Sequence, residues 1–342
     1  HTLDDLGLER PIVVAHYTLH QCVVSSRGLD ALGIGRSTPD PPGGMIVREP
    51  DGSPSGLLVE RAWSEAHARS MAGCRDPERW AELFAARARV LLRDGITCVH
   101  DAACGPSAEA VYRELRRSGR LPLSVLVMPH AEGILAGSDP ARLDGPPTGE
   151  GDEWLRVGPV KLFADGGIAP AMDVSIGGVR GEPFGIACPG LSDAVGAAVE
   201  RGFRVAVHAI GNVGLAHALA AFTLALRRHG DVERRFRVEH ASLASKAQIA
   251  EMAQLGAVAV VQPGFVEHIG RAVEGVPFDE EIWLPFGELL RCGVPLAGSS
   301  DDPCAPHRPL PCAARGTTRR TGSGGILTPE QSVPFEDWLR AY

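Results

Sequence analysis

Lysine is nearly absent from this chain: of 34 Lys and Arg residues, only Lys161 and Lys246 are lysines. Arginine serves almost wherever a positive charge suffices, so a lysine embedded in Val-Lys-Leu-Phe points to chemistry that an always-charged guanidinium cannot perform. A desolvated amine can shed its proton and act as a nucleophile. Cys-x-x-Cys pairs are also missing. The eight cysteines are scattered, which fits reduced thiols and a cytoplasmic location better than a disulfide framework or a zinc knuckle. No run of Lys and Arg could track a phosphate backbone, and the formal net charge of -8 is mild, so nucleic acid is not an expected partner. The most apolar stretch, Gly202–Leu226, is interrupted by Arg204, His208, Asn212 and His217, which makes it strand, turn and helix rather than a membrane span. The chain has no initiator Met and no signal-like opening.

With 342 residues there is room for one (β/α)8 barrel of about 250 residues plus an appendage. From Asp76 onward, helical and strand-like segments alternate, as in a parallel sheet wrapped by helices. Strands are expected at Gly95–Asp101, Leu123–Met128, Gly158–Phe163, Phe203–His208, Phe236–His240, Ala257–Gln262 and Val294–Ser299, and amphipathic helices at Asp76–Asp94, Ser192–Arg201, Val213–Arg228 and Ser245–Leu255. Seven strand–helix units are one short of a closed barrel. Residues 1–75, with Pro39, Pro41, Pro42, Gly43 and Gly44 clustered ahead of the turn-like Asp51-Gly52-Ser53-Pro54, break the rhythm and are expected to form an inserted cap. Residues 76–342 would be the barrel, closing on a helix from Pro329 to Tyr342.

Functional groups of such barrels sit at the C-terminal ends of strands. Four residues answer to that rule: Lys161, His208, His240 and Asp301. Singly, each has an ordinary reading: a solvated lysine, a hydrogen-bonded core histidine, a helix-capping aspartate. Jointly, they offer a divalent metal the imidazole and carboxylate ligands it needs. Lys161 could capture CO2 as a carbamate or form a Schiff base with a carbonyl substrate.

Further strings accompany these four: His20 with Ser25-Ser26, Ala31-Leu32-Gly33-Ile34, Gly43-Gly44, Gly56-Leu57-Leu58-Val59-Glu60, Gly95 to Asp101, Val160 to Gly166, His208-Ala-Ile-Gly211, Glu239-His240, Gln262-Pro263 and Gly298-Ser-Ser-Asp301. In this order they resemble the amidohydrolase superfamily, and within it the YtcJ-like branch that includes N-substituted formamide deformylases. The resemblance covers most of the chain. It implies an α/β fold with a (β/α)8 barrel, in which Lys161 is the strand-four lysine, often carbamylated, and His208 and His240 are the metal-binding histidines of strands five and six. It also implies that Asp301 is the strand-eight aspartate that binds metal and shuttles the proton.

The activity so implied is hydrolysis of a non-peptide C–N bond of an amide, formamide or cyclic amide by a metal-bound hydroxide. One or two divalent ions are expected, zinc being the expected metal, with a small-molecule substrate, no membrane partner and a homo-oligomer left open. Substrate contacts are expected from Asp165, His100 and Gln262. Two departures stand out. The family's first strand ends in His-x-His, which this chain lacks, so the chain is expected to start after that strand and to lack the flanking β-sandwich parts. Asn212 and Ser25 stand where the family usually has Asp and Asn. Alternative readings are a Schiff-base lyase using Lys161 and a non-catalytic fragment or binding remnant.

Overall fold

A computed structural model of the chain describes residues 3–71, 76–132, 135–168, 172–176, 179–180, 190–230, 236–270, 278 and 280–342. The first part is a four-stranded antiparallel sheet of β1 (Val13–Ala15), β2 (Gln21–Val24), β3 (Gly44–Arg48) and β4 (Pro54–Glu60), in the order β1-β2-β4-β3. Helix α1 (Ser26–Leu32) follows β2. Its N-cap Ser25 accepts from Gly28 N at 3.2 Å, and Gly33, at φ +71°, ends it in the left-handed turn that glycine adopts without a Cβ clash. The expected turn at Asp51-Gly52 joins β3 to β4. Helix α2 (Arg61–Ser70) lays Ala62, Trp63 and Ala66 on Cys22, Val24, Ile46 and Leu58, giving this sheet a core of its own. The cap expected at residues 1–75 is thus a folded sheet and two helices as far as Met71; residues 72–75 lie outside the described residues.

Next come α3 (Pro77–Arg93), β5 (Cys98–Cys104), α4 (Pro106–Arg117), β6 (Ser124–Pro129), β7 (Leu155–Val157) and β8 (Val160–Phe163). A short hairpin, β9 (Ser175–Ile176) with β10 (Val179–Arg180), precedes α5 (Leu191–Glu200), β11 (Val205–Ala209), α6 (Asn212–His229) and β12 (Phe236–His240). The order ends with β13 (Leu243–Ser245), α7 (Lys246–Gln254), β14 (Val258–Val261), α8 (Phe265–His268), β15 (Glu281–Trp283), α9 (Phe286–Arg291), β16 (Leu296–Gly298), α10 (Pro309–Thr318) and α11 (Phe335–Ala341). All seven expected parallel strands are present. The first runs three residues beyond Asp101, through a register shift at Ala103, where φ is +60°. The last helix starts at Phe335 rather than Pro329: Pro329–Gln331 form a separate 3-10 turn, and Pro334, in extended backbone (ψ 144°), is the N-cap at which the helix begins.

These strands form two parallel sheets, β5-β6-β7 and β16-β14-β12-β11-β8. The single segment Leu155–Phe163 supplies a strand to each. Gly158 N donates to Val127 O at 2.7 Å on one side and Val160 N to Arg204 O at 2.9 Å on the other. The array curls strongly: Arg237 on β12 donates to His100 Nδ1 on β5 at 3.1 Å, although several strands separate them. Outside it, Phe222 of α6 stacks on Phe236 of β12 at 4.4 Å, and Val160, Leu162, Val205, Val207 and Val238 are fully buried against the helices. Each such valine or leucine contributes about 1.5–3 kcal/mol by burial, so the strands that carry the candidate site stand on a large buried core.

Candidate metal centre

Register decides which side chains meet. In the central sheet Lys161 lies beside Ala206, and Phe163 beside His208, which lies beside Glu239. Residues side by side in parallel strands share a face, and successive residues alternate. Lys161, Phe163, His208 and Glu239 therefore point into the curl. By alternation His240, paired with Ala209, belongs on the helix side. Left-handed backbone at His240 (φ +80°) and Ala241 (φ +45°) turns it back. Its ring then meets that of His208 edge to face, with centroids 4.5 Å apart.

Each imidazole is held through one nitrogen. Gly166 O can only accept, so His208 Nε2 carries the proton it donates at 3.1 Å. Gln262 Nε2 donates to Val260 O at 3.2 Å and to Ser299 Oγ at 2.9 Å, which fixes Oε1 as the acceptor of the His240 Nδ1 proton at 2.8 Å. His208 Nδ1 and His240 Nε2 thus keep their lone pairs, the state a metal ligand requires. Burial, with His240, Lys161 and His20 alongside, pushes His208 well below the usual imidazole range, and burial likewise lowers His240. Both rings are neutral near pH 7.

Lys161 Nζ is buried, lies 4.4 Å from the Phe163 ring centroid and has no hydrogen-bond partner among the described residues. Burial pulls its pKa down to about 8, against the opposing pull of Glu239 and Asp301. The amine is therefore far easier to deprotonate than a surface lysine. Asp301 sits in the exposed turn after β16 at φ +54°, its carbonyl accepting from Cys304 N at 2.7 Å. Its charge acts on His20, Lys161 and His240. Among the described residues no three His, Cys, Asp or Glu side chains converge closely enough to hold an ion by themselves. Beside the two open imidazole nitrogens stands a bare amine. The donor set fits a divalent cation once Nζ carries oxygen donors.

The three expected substrate contacts are placed differently from one another. Gln262 is in the site, as the residue that orients His240. Asp165, 1% exposed, accepts from the backbone N–H groups of Ile210 (2.9 Å), Gly211 (2.8 Å) and Asp173 (3.2 Å), tying the loop after β8 to the turn after β11. Burial lifts its carboxyl to about 7 in spite of those donors. His100 is the third residue of β5, away from the strand end, and its Nδ1 is taken by Arg237. Asn212 Nδ2 donates to Ser175 O at 2.6 Å and to Glu281 Oε1 at 3.3 Å. An aspartate there would have no donor and would face a second carboxylate.

Three further groups were not singled out as site residues from sequence. His130 follows β6 directly; its Nε2 is buried without a partner among the described residues, and burial plus the Lys161 and Arg61 charges lower its pKa to about 4. It obeys the same strand-end rule as His208, so the pattern Val-Leu-Val-Met-Pro-His130 carried the signal. Glu239 is forked by Arg237 through Nε and Nη2. His20 and Glu60 come from the N-terminal sheet: the His20 ring lies 5.6 Å from that of His208, and its Nδ1 bonds the Glu60 carboxylate at 3.0 Å. No local pattern marks two residues forty positions apart as a pair.

Parallel strands wrapped by helices, with polar residues gathered near the strand ends, define an α/β protein. The chain superposes on a metal-dependent hydrolase of Pyrococcus horikoshii OT3 with a TM-score of 0.74 at 23% identity, covering 98% of this chain and 66% of that one. On one from Pyrococcus furiosus the TM-score is 0.71 at 23% identity, covering 99% and 68%. The model of the amidohydrolase family matches residues 1–342, and the chain belongs to that family. It is 29% identical to the N-substituted formamide deformylase of Arthrobacter pascens and 26% identical to the putative amidohydrolase YtcJ of Bacillus subtilis (strain 168). Each of these alignments covers all of this chain and 65% of the relative, so the chain spans just under two thirds of their length.

Proposed function

We propose that the chain carries most of the active centre of a metal-dependent amidohydrolase acting on a non-peptide C–N bond of an amide, formamide or cyclic amide. The observation that carries this reading is the unpartnered, buried Lys161 Nζ beside two imidazoles whose tautomers leave one lone pair each. Lys161, with CO2 added at Nζ as a carbamate, His208 Nδ1 and His240 Nε2 would hold the ion, and Asp301 would complete the set. A divalent cation there, zinc being the expected one, polarises the scissile carbonyl and acidifies the attacking water.

This chain's residues do the rest. Gln262 and Gly166 hold the two rings in the ligand tautomer. Asp165 fixes the loops on which Gly166 and Ile210 lie. Asp301, the one exposed carboxylate of the group, takes the proton of the attacking water and returns it to the leaving nitrogen. The parallel array is read as seven strands of an eight-stranded barrel. In support, β5 and β16 each pair on one side alone among the described residues, and Cys98, His100 and Ala102 of β5 are exposed.

Hydrolysis of a panel of N-substituted formamides and cyclic amides by the zinc-loaded chain, followed by amine release, is the test. Turnover that disappears on chelation and returns with zinc is expected; full activity in a metal-free sample contradicts the reading. The same amine Nζ also suits a Schiff base. Borohydride trapping of a carbonyl substrate on Lys161 would favour that lyase reading, because a carbamate leaves no free amine.

A further inference from the structure

Pro303, Pro306 and Pro309 stand at three-residue spacing just after Asp301, on the irregular segment that joins β16 to α10. Each proline locks its own φ and removes a backbone donor, so the segment behaves as a strap rather than as a free loop, and where its side chains are tied decides where its first residues lie. The ties run to α3. Arg87 Nη2 donates to Asp302 Oδ2 at 2.7 Å and to His307 Nδ1 at 3.0 Å. A guanidinium can only donate, so Nδ1 accepts and His307 Nε2 carries the proton that Asp94 Oδ2 accepts at 2.8 Å. Arg308 Nε donates to the other oxygen, Asp94 Oδ1, at 3.2 Å. Arg87 and Asp94 are seven residues apart, hence on one face of the helix. Asp94 caps its C-terminal end, where the macrodipole disfavours a carboxylate, and the strap's His307 and Arg308 offset that cost.

These bonds join the two ends of the parallel array. Helix α3 leads into β5 and the strap leaves β16, the two strands that pair on one side alone among the described residues. Isolated exposed ion pairs hold little; here five side chains are linked in a row, and His307 and Asp94 within it keep only 16% and 24% of their exposure. At the head of the strap Cys304 N closes the turn on Asp301 O, and Cys304 Sγ donates to Thr18 O at 3.5 Å, so the N-terminal sheet abuts the same turn. Asp301 has left-handed backbone (φ +54°), a state that a side-chain-bearing residue keeps where its surroundings hold it. We propose that Arg87 and Asp94 are positioning residues for Asp301: by clamping the strap that follows it, they fix the turn that presents its carboxylate to the site. The role of that carboxylate in proton transfer rests on the amidohydrolase reading, whereas the clamp does not.

The test compares Arg87→Met with Arg79→Met, a control on the same helix whose guanidinium pairs with Glu82 of that helix. Two quantities are read on the zinc-loaded chain: hydrogen exchange over residues 299–308, and kcat and KM for a formamide that the unchanged protein hydrolyses. Arg87→Met should speed exchange at the Cys304 amide several-fold and lower kcat about tenfold with KM nearly unchanged, because a displaced proton carrier slows the chemical step more than it weakens binding. Arg87→Lys, which keeps the charge and can reach one of the two acceptors, should recover part of both. Arg79→Met should change neither. Should Arg87→Met not fold, Asp94→Asn is read in the same way. Exchange that stays unchanged in Arg87→Met, faster exchange at full kcat, or an equal loss in Arg79→Met overturns the proposal. Faster exchange in Arg87→Met, with no amide hydrolysed by the unchanged protein, would sink the amidohydrolase reading and leave the clamp.

Discussion

The central parallel sheet and the N-terminal antiparallel sheet reach the same site by different means. In β11 every residue is buried, and in β8 too, so a polar side chain there is retained only for a purpose. Strand ends then gather such side chains by geometry alone. In β1 and β2 the outer face is open, with Val14 and Val23 paired on it at 51% and 38% exposure. Polar residues are ordinary there. His20 and Glu60 acquire meaning through cross-strand register and through docking against Gly167. Chemistry on the parallel sheet is written in position along one strand; on the antiparallel sheet it is written in pairing.

The sharpest way to break this contrast is Lys161→Ala. On the proposed role of Lys161 as a carbamate that holds the ion, its loss should cost more than the roughly 10- to 100-fold that loss of an outer-shell partner costs, and short carboxylic acids should restore part of the rate. Undiminished turnover would remove the sheet's claim to the chemistry.

A second effect is read as stability against pH. His130 is buried with its pKa lowered from 6.5 to about 4. An imidazole depressed in the folded state binds its proton first in the unfolded chain, so stability should fall as pH drops from about 6.5 to about 4. The loss is on the order of 3 kcal/mol. Urea unfolding of His130→Phe at several pH values should show a flatter slope over that window.

Gln262→Leu should leave the fold intact and cost about 10- to 100-fold in zinc affinity, measured by competition with a chelator, because His240 loses the partner that sets its tautomer. At the small end, Val23→Thr on the open face of the N-terminal sheet should shift stability by less than about 0.5 kcal/mol in a denaturant titration. A larger shift would show that this face is covered.

Much of the parallel array was legible in the sequence. Apolar β-branched runs closed by His208 and His240, and a third that holds Lys161 as the second residue of β8, marked the strands that carry the candidate site. Strand boundaries were less legible where propensity is weak: Ala102-Ala103 reads as the start of a loop, yet β5 continues to Cys104 because Asp101 and Ala102 pair with Val127 and Met128 of β6. Alternation along β12 would have chosen Glu239 over His240; the positive φ that reverses this is a backbone property invisible in Val-Glu-His-Ala. The tautomers were beyond sequence as well, since they depend on where Gly166 O and Gln262 Oε1 come to lie. Asn212 illustrates the converse. Its departure from the resembling pattern was visible at once, while its reason, Glu281, lies 69 residues on.

The central claim is that Lys161, His208 and His240 hold a divalent ion, and counting metal tests it most directly. Zinc bound per chain, by elemental analysis after dialysis with bicarbonate present, should be close to one or two equivalents. It should fall to near zero in His208→Ala with His240→Ala, and fall strongly in Lys161→Ala. Zinc retained in full by the doubly substituted chain, or a fully active chain without metal, would contradict the account.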